Sequence, residues 1–133
     1  MKIHAIRLKP NQDLKQSLKN FASQENIQAG FILSGIGSLK QAQIRFADQQ
    51  TSTTLFEKWE IVTLNGTISN QGMHLHITIA DQQGKTIGGH LDQGCLIYTT
   101  AEIIIGESEN FIFSRTFDVQ TGYQELEITR RIL

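Results

Sequence analysis

Cysteine, proline and tryptophan each occur once in these 133 residues, and no apolar run is long enough to cross a bilayer. A lone cysteine, Cys95, excludes an internal disulfide and suits a reducing compartment. The N-terminal stretch MKIHAIRLKPNQD has too short an apolar run for a signal peptide. The expected location is therefore the cytoplasm, with no membrane partner. No Lys/Arg tail, acidic block, low-complexity segment, linker or internal repeat divides the chain, so residues 1–133 are expected to form a single domain. Apolar and charged fractions of 39% and 19% place it with globular rather than disordered sequences.

Charge is nearly balanced in sum but not in place. Residues 1–45 hold seven basic and two acidic side chains, whereas the remainder holds five basic and eleven acidic ones. A basic N-terminal third could face an anion. It could equally be a solvated face balanced by its neighbours.

Alternation over Lys2–Leu8 predicts a first strand, ended by Pro10, with His4 as a half-buried strand residue. Asp13 followed by Gln16 is a capping-box pattern, and Leu14, Leu18, Phe21 and Ala22 then recur at helical spacing. Lys15 and Lys19 fall off that stripe. Ala29–Ile36 and Leu39–Ala47 read as two strands joined by a turn at Gly35-Ile36-Gly37-Ser38. Those glycines lack phosphate-loop spacing and a following helix signal. Leu55–Leu64 has apolar residues on both faces and is expected inside a sheet. Asn65-Gly66 is the strongest hairpin-turn pattern in the chain, and Asn70-Gln71-Gly72 marks a second turn. Cys95–Ile105 reads as a strand buried on both faces, in which the charge of Glu102 needs a partner. Phe111–Val119 and Tyr123–Ile128 form a closing hairpin around Gln120-Thr121-Gly122. The sum is an α+β fold: a twisted, mostly antiparallel sheet with one flanking helix.

The stretch from Met73 to Leu91 concentrates the chemistry. His74 and His76, two apart on a strand, share a face, while Met73, Leu75, Ile77 and Ile79 face the core. Asp81-Gln82-Gln83-Gly84 turns the chain. A bend at Gly88-Gly89 is expected to bring His90 back towards the first two imidazoles. Three neutral imidazoles suit zinc or another divalent transition ion with a fourth position left open. Asp81 and Glu102 are the carboxylates expected to orient those ligands. Structural hydrogen bonding at a subunit contact, or acid–base work without metal, would use the same residues. Ser38 and Cys95 lie in no nucleophile motif and read as turn and core. Whether the chain is an enzyme stays open.

The order of motifs carries further information. Pro10 to Leu14, Ala29-Gly30, Gly35-x-Gly37-Ser38-Leu39, Glu60 to Ile68, His74-Leu75-His76, Gly88-Gly89-His90, Thr99 to Glu102 and Thr121-Gly122-Tyr123-x-Glu125-Leu126 follow one another. In that order they resemble the PPC ("plants and prokaryotes conserved") domain over nearly the whole chain. The resemblance implies a twisted antiparallel sheet with flanking helices, assembled as a homotrimer, and prokaryotic members are usually described as DNA-binding. In plant members a Gly-Arg-Phe-Glu-Ile-Leu segment engages other nuclear factors. The matching positions here are Glu57-Lys58-Trp59-Glu60-Ile61-Val62, which makes Lys58, Trp59 and Glu60 candidate partner contacts. The AT-hook, a Gly-Arg-Pro core for the minor groove, has no counterpart around Pro10. Two functions thus stay in view. One is a trimeric protein with a three-histidine metal or small-ligand site. The other is a DNA-associated regulator, for which weak, non-specific DNA binding is the expectation.

Overall fold

The structure is a computed structural model and describes residues 1–132. The chain runs β1 (Lys2–Leu8), α1 (Leu14–Gln24), β2 (Gly30–Arg45), β3 (Thr53–Leu55), β4 (Trp59–Ser69), β5 (Gly72–Ala80), β6 (Thr86–Leu91), β7 (Leu96–Glu107), β8 (Phe111–Asp118) and β9 (Tyr123–Arg130). Its fold is a mostly antiparallel sheet with one short helix. Among the described residues no helix is long and apolar enough to cross a membrane.

α1 starts where the sequence places it. The Gln16 N–H donates to Asp13 Oδ1 at 2.9 Å, which caps the helix. The reciprocal half of the capping box is absent, because Gln16 Oε1 accepts from Gln93 Nε2 at 2.7 Å instead. Asp13 Oδ2 also accepts from the Gly94 N–H at 2.6 Å, so the cap ties the helix to the loop before β7. Leu14, Leu18 and Ala22 are fully buried. Each of the two leucines contributes roughly 1.5–3 kcal/mol of apolar burial.

Seven strands form one sheet in the order β1-β7-β2-β4-β5-β6, with β3 also on β2. The long β2 is the hinge of this arrangement. Residues Gly30 to Leu39 pair with β4, and Ile44 and Arg45 pair with β6. The strands β2, β4, β5 and β6 therefore close into a ring. Ile44, Leu64, Leu75, Ile77, Ile79 and Leu91 are buried in the core along this ring. The hairpin β8-β9 is a separate two-stranded sheet. It is tied to the end of β4 by a Ser69 hydroxyl that donates to the Phe113 carbonyl at 3.0 Å.

Three expected turns are corrected by this pairing. Gly35-Ile36-Gly37-Ser38 is not a turn: β2 continues through it, with a register shift against β7 after Gly37, paired to β7 on one side and β4 on the other. Ser38 is accordingly a buried strand residue bonded to the Thr99 hydroxyl at 2.8 Å. Asn65-Gly66 does not reverse the chain, because β4 continues to Ser69 and the turn falls at Asn70-Gln71. Gly66 answers a different need. A Cβ there would sit 2.0 Å from the His74 carbonyl oxygen, and its φ of +138° disfavours any side chain. Gly88-Gly89 is likewise no bend; both residues are paired in β6, opposite Thr78 and Ile77.

Candidate metal centre

The register of the ring assembles the site. Arg45 of β2 pairs with His90 of β6, His90 pairs with His76 of β5, and His76 pairs with Asn65 of β4. Directly paired residues show their side chains on the same face, so these four form one row across the sheet. His74 opposes Thr67 in the next row on that face. His90 thus arrives from a neighbouring strand, not from the bent loop expected of Gly88-Gly89.

The three imidazoles converge. Ring centroids lie 4.9 Å apart for His74–His76, 5.4 Å for His74–His90 and 6.0 Å for His76–His90. One nitrogen from each can be chosen so that all three lie within 4.8 Å of one another. Nitrogens bound to one tetrahedral zinc at ~2.1 Å are about 3.4 Å apart, so ligation needs closure by roughly 1 Å. His74 and His76 are exposed and free to make that adjustment. His90 Nδ1 is buried and has no hydrogen-bond partner. A buried unpartnered nitrogen is costly unless something else engages it. The donor set and this orphaned atom both fit a divalent transition ion.

Burial and neighbouring positive charge favour the neutral, ligating form of His74 and His90. Burial, then the charges of His76 and Arg115, push the His74 pKa below its ordinary value, against an opposing pull from Glu125. Burial and then Arg45 push His90 down, opposed by Asp92. Neutral imidazole is the form that binds metal.

The two carboxylates expected to orient the ligands lie elsewhere. Asp81 Oδ1 accepts the Gln83 and Lys85 N–H groups, both at 2.9 Å, and so holds the β5-β6 turn. Glu102 is exposed on β7, in register with Arg7. The carboxylate beside an imidazole is Asp92, with Oδ1 3.7 Å from His90 Nε2 and 3.8 Å from Lys15 Nζ. Cys95 is fully buried, and burial pushes its thiol up to about 11, so it is no nucleophile. Lys58 and Glu60 are exposed, with Lys58 Nζ 4.7 Å from the Tyr98 ring centre. Trp59 is buried, with Nε1 unpartnered, and belongs to the core.

A second wall, not foreseen from the sequence, faces the histidines. A cleft of about 320 Å³ beside His74 and His76 is closed by Thr67, Arg115, Glu125 and Leu126. A larger one of about 580 Å³ is lined by Arg45, His74, His90, Arg115, Tyr123 and Glu125, among others. Arg115 and Glu125 come from the hairpin β8-β9, and Arg115 donates to the Thr67 hydroxyl at 3.0 Å.

Residues 1–109 match the Plants and Prokaryotes Conserved (PCC) domain, which covers β1 through β7 and all three histidines. The chain belongs to this family. The Bifunctional protein GlmU of Synechococcus sp. (strain JA-3-3Ab) is 52% identical to it over 130 residues, 98% of this chain. That alignment takes up 21% of the relative, so the chain spans about a fifth of its length. A metal-containing protein from Archaeoglobus fulgidus superposes with a TM-score of 0.81 at 27% identity, covering 96% of this chain and 94% of its own. A Bacteroides thetaiotaomicron protein, named as a DNA-binding candidate, superposes with a TM-score of 0.84 at 25% identity, over 94% and 91% of the two chains.

Proposed function

We propose that this PCC domain binds a divalent transition ion of the zinc type through His74, His76 and His90, and works as a homotrimer. The observation that carries the reading is the convergence of three imidazole nitrogens within 4.8 Å, two from β5 and one from the neighbouring β6, with the buried His90 Nδ1 unpartnered. The metal-containing Archaeoglobus relative supports it. Held by these three imidazoles, such an ion would supply a Lewis acid beside the clefts lined by Arg45, Arg115 and Glu125. The test is elemental analysis and calorimetry on protein purified without a histidine tag. Stoichiometric zinc uptake that is lost in His74→Ala with His76→Ala is the expected result. Equal uptake by both proteins removes the reading.

Trimer formation is supported by the uncovered face of the sheet. Ile3, Leu33, Ile36, Val62 and Tyr98, from β1, β2, β4 and β7, are all 45–52% exposed. Apolar side chains in such number on one sheet are normally covered by a partner. Sedimentation equilibrium is expected to give three times the chain mass at micromolar concentration, and a monomer there would refute it.

DNA association is the second reading, favoured by the name of the Bacteroides relative. The surface gives it little to work with. Net charge is −1, and the exposed side of α1 offers Lys19 without an arginine cluster to read bases. Binding to duplex DNA is expected to be weak, insensitive to sequence and lost near ~150 mM salt. Filter binding or anisotropy with random and A/T-rich duplexes checks this. A dissociation constant near ~10⁻⁸ M with sequence preference would put the regulator first.

A further inference from the structure

The clefts against the histidines carry more charge than metal binding requires. Arg45 and Arg115 are half-buried, and each spends one donor on the protein. Arg45 Nη1 donates to the Gln49 carbonyl at 3.3 Å, and Arg115 Nη2 donates to the Thr67 hydroxyl at 3.0 Å. A guanidinium has five N–H donors, so most of both forks stay free. Among the described residues, neither has a carboxylate oxygen within 4.0 Å; the ion pairs are His4–Glu107, Lys15–Asp92 and His90–Asp92. Two unpaired guanidinium groups lining one cleft are the fork-shaped donors that carboxylate and phosphate oxygens match. Glu125 lines the same cleft and adds the opposite requirement. A bare anion would leave it facing like charge. A hydroxyl or amine beside the anionic group would donate to it. At about 580 Å³ the cleft is of small-molecule size.

We propose that this cleft binds a small organic anion, a carboxylate or phosphate monoester, that carries a neighbouring hydroxyl or amine. Arg45 and Arg115 take the anionic group, and Glu125 accepts from the donor. The proposal deepens the metal-site reading and rests on it only for the ligand's orientation, since the open position of an ion on the three histidines would face the same space. The hairpin β8-β9, which follows the stretch matched to the family, supplies two of the three recognition groups.

The test uses the full chain, zinc-loaded and zinc-free, with four probes: L-lactate, propionate, sn-glycerol 3-phosphate and glycerol. Binding is read by calorimetry and by the shift in melting temperature. At least one hydroxy-anion is expected to bind with a dissociation constant on the order of 1 mM or below. The lactate and glycerol phosphate arms decide between carboxylate and phosphate. Glycerol is expected not to bind, and propionate to bind at least about fivefold more weakly than lactate if the carboxylate is chosen. Arg45→Gln with Arg115→Gln is expected to weaken binding at least about tenfold while zinc uptake is retained. Arg45→Lys with Arg115→Lys keeps the charge, guards against a folding defect and should still lose most of the affinity. Glu125→Gln should alter the preference for the hydroxylated probe. The proposal is overturned if neither hydroxy-anion binds at about 50 mM, or if both arginine variants bind like the parent. Arginine-dependent binding in a protein that takes up no zinc would refute the metal reading and leave this one standing.

Discussion

His4 sits in β1 with its Nε2 3.0 Å from Glu107 Oε1 and its ring edge-on to Phe21 at 5.6 Å. It is buried, and its carboxylate partner also accepts the Gln28 N–H at 3.1 Å. His74, His76 and His90 lie on the same sheet in the opposite situation. Two are exposed, the third has an unpartnered buried nitrogen, and the Asp92 carboxylate stands off from His90 at 3.7 Å. The first histidine is consumed by the fold. The other three hold hydrogen-bonding and ligating capacity that the fold leaves unused. The difference teaches that convergence without internal partners, more than histidine content, marks a site here.

That contrast breaks or sharpens under substitution. The largest effect is expected in His74→Ala with His76→Ala: zinc affinity should fall by roughly a thousandfold or more, about 4 kcal/mol, because two of three ligands are lost. Calorimetry measures it, and His4→Ala serves as the control that leaves zinc binding unchanged. The second effect runs the other way. His4→Ala should cost about 1–3 kcal/mol of stability, since Glu107 keeps its burial and loses a partner; chemical denaturation reads it, and the metal-free triad variant should lose little. Asp92→Asn should weaken zinc binding about tenfold with no change in denaturation midpoint, if its charge supports His90 from 3.7 Å.

The smallest effect is in pH. His74 and His90 have depressed pKa values in the folded state, so the unfolded chain binds more protons below the ordinary histidine value of ~6.5. Stability of the metal-free protein should therefore fall as pH drops from about 6.5 towards those depressed values, and should be insensitive to these two groups above it. Zinc affinity should likewise hold to about pH 6 and decline below it. Thermal melts and zinc titrations across this range check both. A decline in zinc affinity starting well above pH 7 would show that His74 and His90 are not held neutral.

How much of this was legible depended on distance along the chain. The strand β1, the capped helix, the closing hairpin and the shared face of His74 and His76 follow from spacing over a few residues, and all stand in the structure. His90 joins the cluster as expected, but by the register of β6 against β5. Gly66 shows why turns were harder. Asn-Gly reads alike whether it reverses the chain or lets a neighbouring carbonyl approach, and only the pairing with β5 separates the two. Arg45, Asp92 and Arg115 carry no local pattern, and Glu125 stands in the Tyr123-x-Glu125-Leu126 motif, which does not point to a site. Asp92 lies two residues from His90, but Arg45, Arg115 and Glu125 meet the histidines because β2 returns to β6 and because the hairpin docks on β4, contacts between residues far apart in sequence.

Ring closure at β2–β6 has a bearing on how the site comes into being as the chain folds. The three imidazoles belong to one hairpin, β5-β6, whose ends are separated by a short turn, so joining them costs little loop entropy. Arg45 must be recruited from the far end of β2, and Arg115 and Glu125 from strands that emerge last. The metal ligands can thus gather in a local, early event, whereas the anion wall waits for long-range contacts that form slowly. An ion captured at the first stage would act as a staple on β5-β6 while the rest of the chain is still finding its register.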